Sequence, residues 1–86
     1  MSLFKDNVIP GNHGKRFSIN VENDEQLEAI KNDILRIEGV KNVKLYPENF
    51  PMEFDVLTDK LVQISDIEEI VLKKGFHAVP KGVFNL

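Results

Sequence analysis

Phe17, Ile19 and Val21 alternate with Ser18, Asn20 and Glu22, which is the period of a strand with one buried face. The period then changes. Leu27, Ile30, Ile34 and Ile37 recur at helical spacing and form one apolar stripe. Asn23 stands at the start of that stripe as an N-cap, and Gln26 three residues on completes a capping box. Asp24 and Glu25 fall in the first turn, where the positive end of the helix dipole favours carboxylates. Gly39 sits where a left-handed C-terminal turn is expected. Val40, Val43 and Leu45 then open a second strand, with Lys44 and Tyr46 on its other face.

The same order returns in the second half of the chain. Phe54 and Val56 begin a strand among Glu53, Asp55 and Thr58. Ile67, Ile70 and Val71 form a helical stripe, introduced by a capping box from Ser65 to Glu68 and followed by Lys73, Lys74 and Gly75. Phe76, Ala78 and Val79 open a fourth strand that Pro80 is expected to end, and Val83 and Phe84 in the tail are expected to return to the core.

Two helices with one apolar stripe each, and four strands with one apolar face each, bury economically in one way. The helices must cover one face of a four-stranded antiparallel sheet. This predicts an α+β fold, the ferredoxin-like βαββαβ sandwich. Right-handed crossovers place the first and third strands in the middle and the second and fourth at the edges. Residues 1–15 lack periodicity and read as an N-terminal arm on a domain spanning 16–86. Val8 and Ile9 give the arm apolar residues to pack, and it is expected to lie along one sheet edge.

Composition narrows the function. The 86 residues amount to one domain. A formal net charge of −3, with both signs scattered, lacks the basic stripe of a nucleic-acid binder. No apolar run approaches the roughly 20 residues of a membrane span, and the first residues hold no stretch suited to a signal peptide. A cytoplasmic location without membrane insertion is therefore expected. The chain contains no cysteine, which removes disulfides, thiolate metal sites and thiol nucleophiles. Ser2, Ser18 and Ser65 have no evident base and orienting acid, so no enzymatic activity is expected.

The run Gly39-Val40-Lys41-Asn42-Val43-Lys44-Leu45 resembles the segment that closes the first helix of heavy-metal-associated domains, the small copper chaperone and copper ATPase modules. Ile64 to Ile70, followed by Lys73-Lys74-Gly75-Phe76, resembles the second helix of that family and its terminal glycine-aromatic pair. The likeness covers about residues 17–79. It implies the ferredoxin-like fold and a metallochaperone-like role in binding or transporting a metal ion, with a metal transporter or other protein as partner. The family's metal loop carries Met-x-Cys-x-x-Cys. Here Val21 stands at the methionine position, and Asn23 and Gln26 stand at the two cysteine positions. Copper(I) needs soft thiolates, so the family's ligand chemistry does not carry over to these amides. Capping is the use they suit best.

Other residues suggest different chemistry. Glu22, Asp24 and Glu25 around the degenerate loop offer oxygens to a hard ion such as calcium or magnesium, or simply serve the helix dipole. His13 and His77, with a carboxylate, suit zinc or copper(II) if the arm folds back to the start of the fourth strand. Tyr46, Phe50 and Met52, bounded by Pro47 and Pro51, either seal the bottom of the sandwich or form a partner surface. The expected role is therefore a metal-handling-type domain without its thiolate site. The alternative is a protein-interaction or adaptor domain on the same fold, as a monomer or weak dimer. A sensing domain similar to ACT domains is a more distant third, because their glycine-containing first loop is missing.

Overall fold

The computed structural model describes residues 7–85, with side chains described through Gly82. Its elements are β1 (Val8–Ile9), β2 (His13–Ile19), α1 (Asp24–Ile34), β3 (Val40–Tyr46), β4 (Met52–Thr58), β5 (Val62–Gln63), α2 (Ile64–Lys73) and β6 (Ala78–Asn85). Four strands form one antiparallel sheet in the order β3-β4-β2-β6. The first and third long strands are central and the other two are edges, as the crossover rule predicts. This is the α+β ferredoxin-like sandwich.

The core lies between the sheet and the helices. Phe17, Ile19, Val43, Phe54 and Val56 from the strands meet Leu27, Ile30 and Ile34 of α1 and Ile67 and Val71 of α2. At its centre Phe17 and Phe54, directly opposed across β2 and β4, stack with ring centroids 5.1 Å apart. Such cross-strand aromatic pairs fix register as well as contribute burial.

Two irregularities explain the apolar spacing. Val40 and Val43 are an odd number of residues apart, yet both belong on the helix side. A bulge between Val40 and Asn42 inserts one residue against β4 and restores the face. A second bulge lies between the β2 residues Lys15 and Phe17, opposite Val83 and Pro80 of β6. With it β6 continues past Pro80 to Asn85, whereas Pro80 was expected to end the strand. Proline lacks an N–H but is accommodated at edges and bulges. The expectation that Val83 and Phe84 return to the core falls on side chains outside those described.

The arm departs from expectation. His13, Gly14 and Lys15 belong to the central strand β2, so the boundary at residue 15 falls inside the sheet. Residues Val8 and Ile9 do not lie along an edge of the main sheet. They pair with Val62 and Gln63 in a separate two-stranded ladder. The physical reason is burial, since there Ile9 and Val62 join the core cluster at the end of the sandwich. Thr58, fully buried, ties this arm to the sheet. Its hydroxyl donates to the Pro10 carbonyl and accepts from the His13 N–H at 3.3 Å.

Helix ends also differ in part. α1 stops at Ile34, and tight turns carry the chain to Gly39, with Ile37 still packed against the core. Gly39 and Gly75 both take the left-handed conformation, with φ of 99° and 91°. The Ser65–Glu68 capping box does not form. α2 begins at Ile64, its N-cap is Gln63 without a side-chain cap bond, and Ser65 lies inside the first turn. Pairing of β5 with β1 and burial of Ile64 set the helix start earlier than the capping residues suggested.

Candidate functional site

The loop between β2 and α1 is closed by its own amides. The Asn23 side-chain oxygen accepts the Gln26 N–H at 2.9 Å, as an N-cap should. Gln26 Oε1 accepts the N–H of Glu22 at 2.7 Å, one residue earlier than the capping box predicts. The result is a tight loop in which both amide oxygens are engaged. Glu22, Asp24 and Glu25 stay exposed around it and enter no ion pair among the described residues.

His77 lies beside this loop and His13 does not. The His77 N–H donates to Asn20 Oδ1 at 2.8 Å, and the Asn20 N–H donates to the His77 carbonyl at 3.4 Å. His13 sits at the opposite end of the β2–β6 ladder, where it pairs with Asn85 while Ile19 pairs with Ala78. Six strand residues separate the ends, about 20 Å. The His13 Nδ1–H instead donates to the Gly11 carbonyl at 2.8 Å. The structure therefore does not bring the two histidines together as a zinc or copper(II) pair. Among the described residues no three His, Asp or Glu side chains gather as a metal group.

The proposed aromatic surface divides. Tyr46 lies on the sheet face away from the helices. Its hydroxyl donates to Asp55 Oδ2 at 2.9 Å, and the Arg16 guanidinium sits 4.5 Å above its ring. Phe50 is 100% exposed and seals nothing. Phe50, Pro51 and Met52 form one wall of a groove of about 470 Å³, and Ile19, Asn20, Val21 and Glu22 form the other. The groove thus joins the β3–β4 loop to the β2–α1 loop. A smaller hollow of about 200 Å³, sharing Ile19, Asn20 and Pro51 with the groove, is also lined by Ser18, His77 and Val79.

Sequence reasoning missed the polar network on the open sheet face. Arg16 grips Asp55 with two bonds, Nε to Oδ1 at 2.8 Å and Nη2 to Oδ2 at 3.1 Å. Glu53 is held by Asn49 at 2.8 Å, Lys81 at 3.3 Å and Arg16 at 3.8 Å. Burial alone pushes the Asp55 carboxyl up, but the bonds from Arg16 and Tyr46 and the charges of Arg16 and Lys44 outweigh it and hold it below its ordinary value. The Asn49 bond, aided by Lys81 and Arg16, likewise lowers Glu53. Bonding to Asp55 raises both Arg16 and Tyr46. The one signal in the sequence was alternation: Lys44, Glu53 and Asp55 take polar positions between apolar ones, and Arg16 directly precedes Phe17. Their pairing depends on strand register, which alternation does not give.

The fold defines the class of the protein, a ferredoxin-like α+β sandwich. Among solved structures it is similar to the copper(I)-loaded first domain of the human copper chaperone for SOD1, with a TM-score of 0.66 and 20% identity over 81% of this chain and 93% of that domain. That likeness establishes the fold. No protein-family model matches the sequence, and no curated protein matches it.

Proposed function

We propose that this protein is a protein-docking domain, built on the heavy-metal-associated type of sandwich, that does not carry copper(I) at its first loop. The observation that carries the reading is Phe50. It is a wholly exposed aromatic residue at the rim of an apolar groove, beside the loop that holds metal in the resembled family. A large apolar side chain held in water costs free energy unless something covers it. Aromatic residues of this kind are enriched in the centres of interfaces.

The loop chemistry points the same way. A copper(I) site needs two soft sulfur donors. Asn23 and Gln26 offer hard amide oxygens, and both are engaged by backbone N–H groups. Docking between proteins needs no ligand at those positions, so a docking role survives their loss where a metal-transfer role does not. A metal-linked role remains the competing reading, because the structurally similar human domain is loaded with copper(I).

Native mass spectrometry separates the two. The protein is titrated with copper(I), zinc and calcium under reducing, chelator-buffered conditions, with an Asn23→Cys/Gln26→Cys variant as the positive control. The expected result is a metal-free native chain and a copper(I)-loaded double variant. A stoichiometric metal complex of the native chain, surviving the chelator, overturns the reading.

A further inference from the structure

We infer that the groove between the β2–α1 and β3–β4 loops is a binding site for a peptide segment that presents an apolar side chain next to lysine or arginine. This rests on the docking role proposed above and names the partner's chemistry.

Shape gives the first half of the argument. The groove walls are Ile19 and Val21 on one side and Phe50, Pro51 and Met52 on the other. Its volume of about 470 Å³ lies within the range of small-ligand sites, roughly 300–1,000 Å³. That space suits one or two side chains and not a folded surface. The wall formed by Ile19 and Val21 is firm, because both residues belong to the buried core. The backbone N–H of Glu22, which lines the groove, is held by Gln26 Oε1, so the site needs little ordering on binding. The smaller hollow, which shares Ile19, Asn20 and Pro51 with the groove and is lined also by the exposed Val79, extends the surface for a second side chain.

Charge gives the second half. Among the described residues Glu22 is the only charged one lining the groove. Asp24 and Glu25 follow it at the first turn of α1, and Glu48 precedes Phe50 in the β3–β4 loop. None of these four carboxylates takes part in an ion pair among the described residues. The carboxylates of the sheet face are different, since Asp55 and Glu53 are fully engaged by Arg16, Asn49 and Lys81. Among the described residues no lysine or arginine lines either hollow, and Lys74 at the end of α2 is paired with Asp33. An apolar slot lined by the unpaired Glu22, with three more unpaired carboxylates in the adjoining loop and helix residues, favours a cationic partner, repels an acidic one and speeds the encounter at low salt. A second copy of this chain would set acidic rim against acidic rim, which disfavours self-association through this face.

The test is selection from a random library of capped, displayed octapeptides against the folded protein, with Phe50→Ala and Glu22→Gln variants in parallel. Both residues are exposed, so the variants keep the fold, and circular dichroism checks it. The expected enrichment is for sequences combining leucine, isoleucine or an aromatic with lysine or arginine. The selected peptides, titrated into ¹⁵N-labelled protein, are expected to shift amides of residues 19–26 and 48–52 and to leave β5 unmoved. Phe50→Ala is expected to weaken them at least about tenfold, and Glu22→Gln about threefold, with most of that loss disappearing in high salt. No enrichment overturns the inference, as does selection of acidic peptides. Enrichment that survives Phe50→Ala also overturns it while leaving the docking role intact. A metal complex in the mass-spectrometric experiment would undo the docking role independently of this outcome.

Discussion

Arg16 and Asp55 face each other across β2 and β4 and form a two-point clasp, with Nε–Oδ1 at 2.8 Å and Nη2–Oδ2 at 3.1 Å. The clasp lies on the sheet face that no helix covers, yet Asp55 is only 4% exposed. Arg16 and Tyr46 together supply the cover that a third layer would supply elsewhere. Replacing Asp55 with Ala is expected to cost about 2 kcal/mol, the usual loss for a charged hydrogen-bonding partner. Urea unfolding at neutral pH measures it, and the Tyr46→Phe variant should show a smaller loss.

The same network predicts acid sensitivity. Asp55 and Glu53 both have folded-state values below their ordinary ones. Unfolded carboxylates titrate near about 4. Above that pH both groups are ionised in either state and their stabilisation is complete. As pH falls below it, the unfolded chain binds protons before the folded one, and the stabilisation drains away through the folded-state values. Melting temperature is therefore expected to hold between neutrality and about pH 5 and to drop steeply below. The Asp55→Asn variant, less stable at neutral pH, should show a shallower drop. An equal slope in both proteins would remove Asp55 from the account.

Gly39 and Gly75 end the two helical segments in the same left-handed conformation but in different surroundings. A Cβ on Gly75 meets nothing within 4 Å, whereas one on Gly39 would sit 2.9 Å from Val62 Cγ2 and 3.2 Å from the Lys60 carbonyl oxygen. Gly75→Ala is expected to cost about 1 kcal/mol, the backbone penalty alone. Gly39→Ala should cost clearly more, because Val62 belongs to the buried ladder that holds the arm. Thermal unfolding of the two single variants decides the order.

Thr58 sits at the crossing of arm and sheet. Substitution by Val keeps the shape and removes the hydroxyl that serves Pro10 and His13. The expected loss is about 1–2 kcal/mol, since a buried acceptor and donor are left without a partner. Amide exchange at His13 should quicken in the variant, and unchanged protection there would count against the role.

Asn23→Ala is expected to cost about 1 kcal/mol through loss of the cap bond to Gln26. Asn23→Ser or Asn23→Asp, which keep a capping oxygen, should restore most of it. A melting curve unchanged by the alanine substitution would show that the loop is held by something other than its cap.

Much of the fold was legible because helical and strand periods are local. The stripe Leu27, Ile30, Ile34 and the alternation Phe17, Ile19 need no distant partner to be read, and each glycine turn marked its own place. The Asn23–Gln26 spacing likewise signalled a cap. The failures share a different character. The β1–β5 ladder joins residues more than fifty positions apart by only two residues on each side. The early start of α2 follows from that ladder and not from Ser65. The separation of His13 from His77 depends on which end of the sheet each occupies, and that required the register of β2 against β6.

By itself the sequence determined the two strand–helix–strand halves, the side of each element that faces the core and the absence of a thiolate at the first loop, because burial of apolar surface and side-chain chemistry are written residue by residue. Only the tertiary structure decided that Arg16 meets Asp55, that Ile9 lies on Val62, and that Phe50 stands in water across a groove from Ile19 and Val21. Those relations are set by register and loop closure, where segments distant in the chain compete for the same partner, and no local period records the winner.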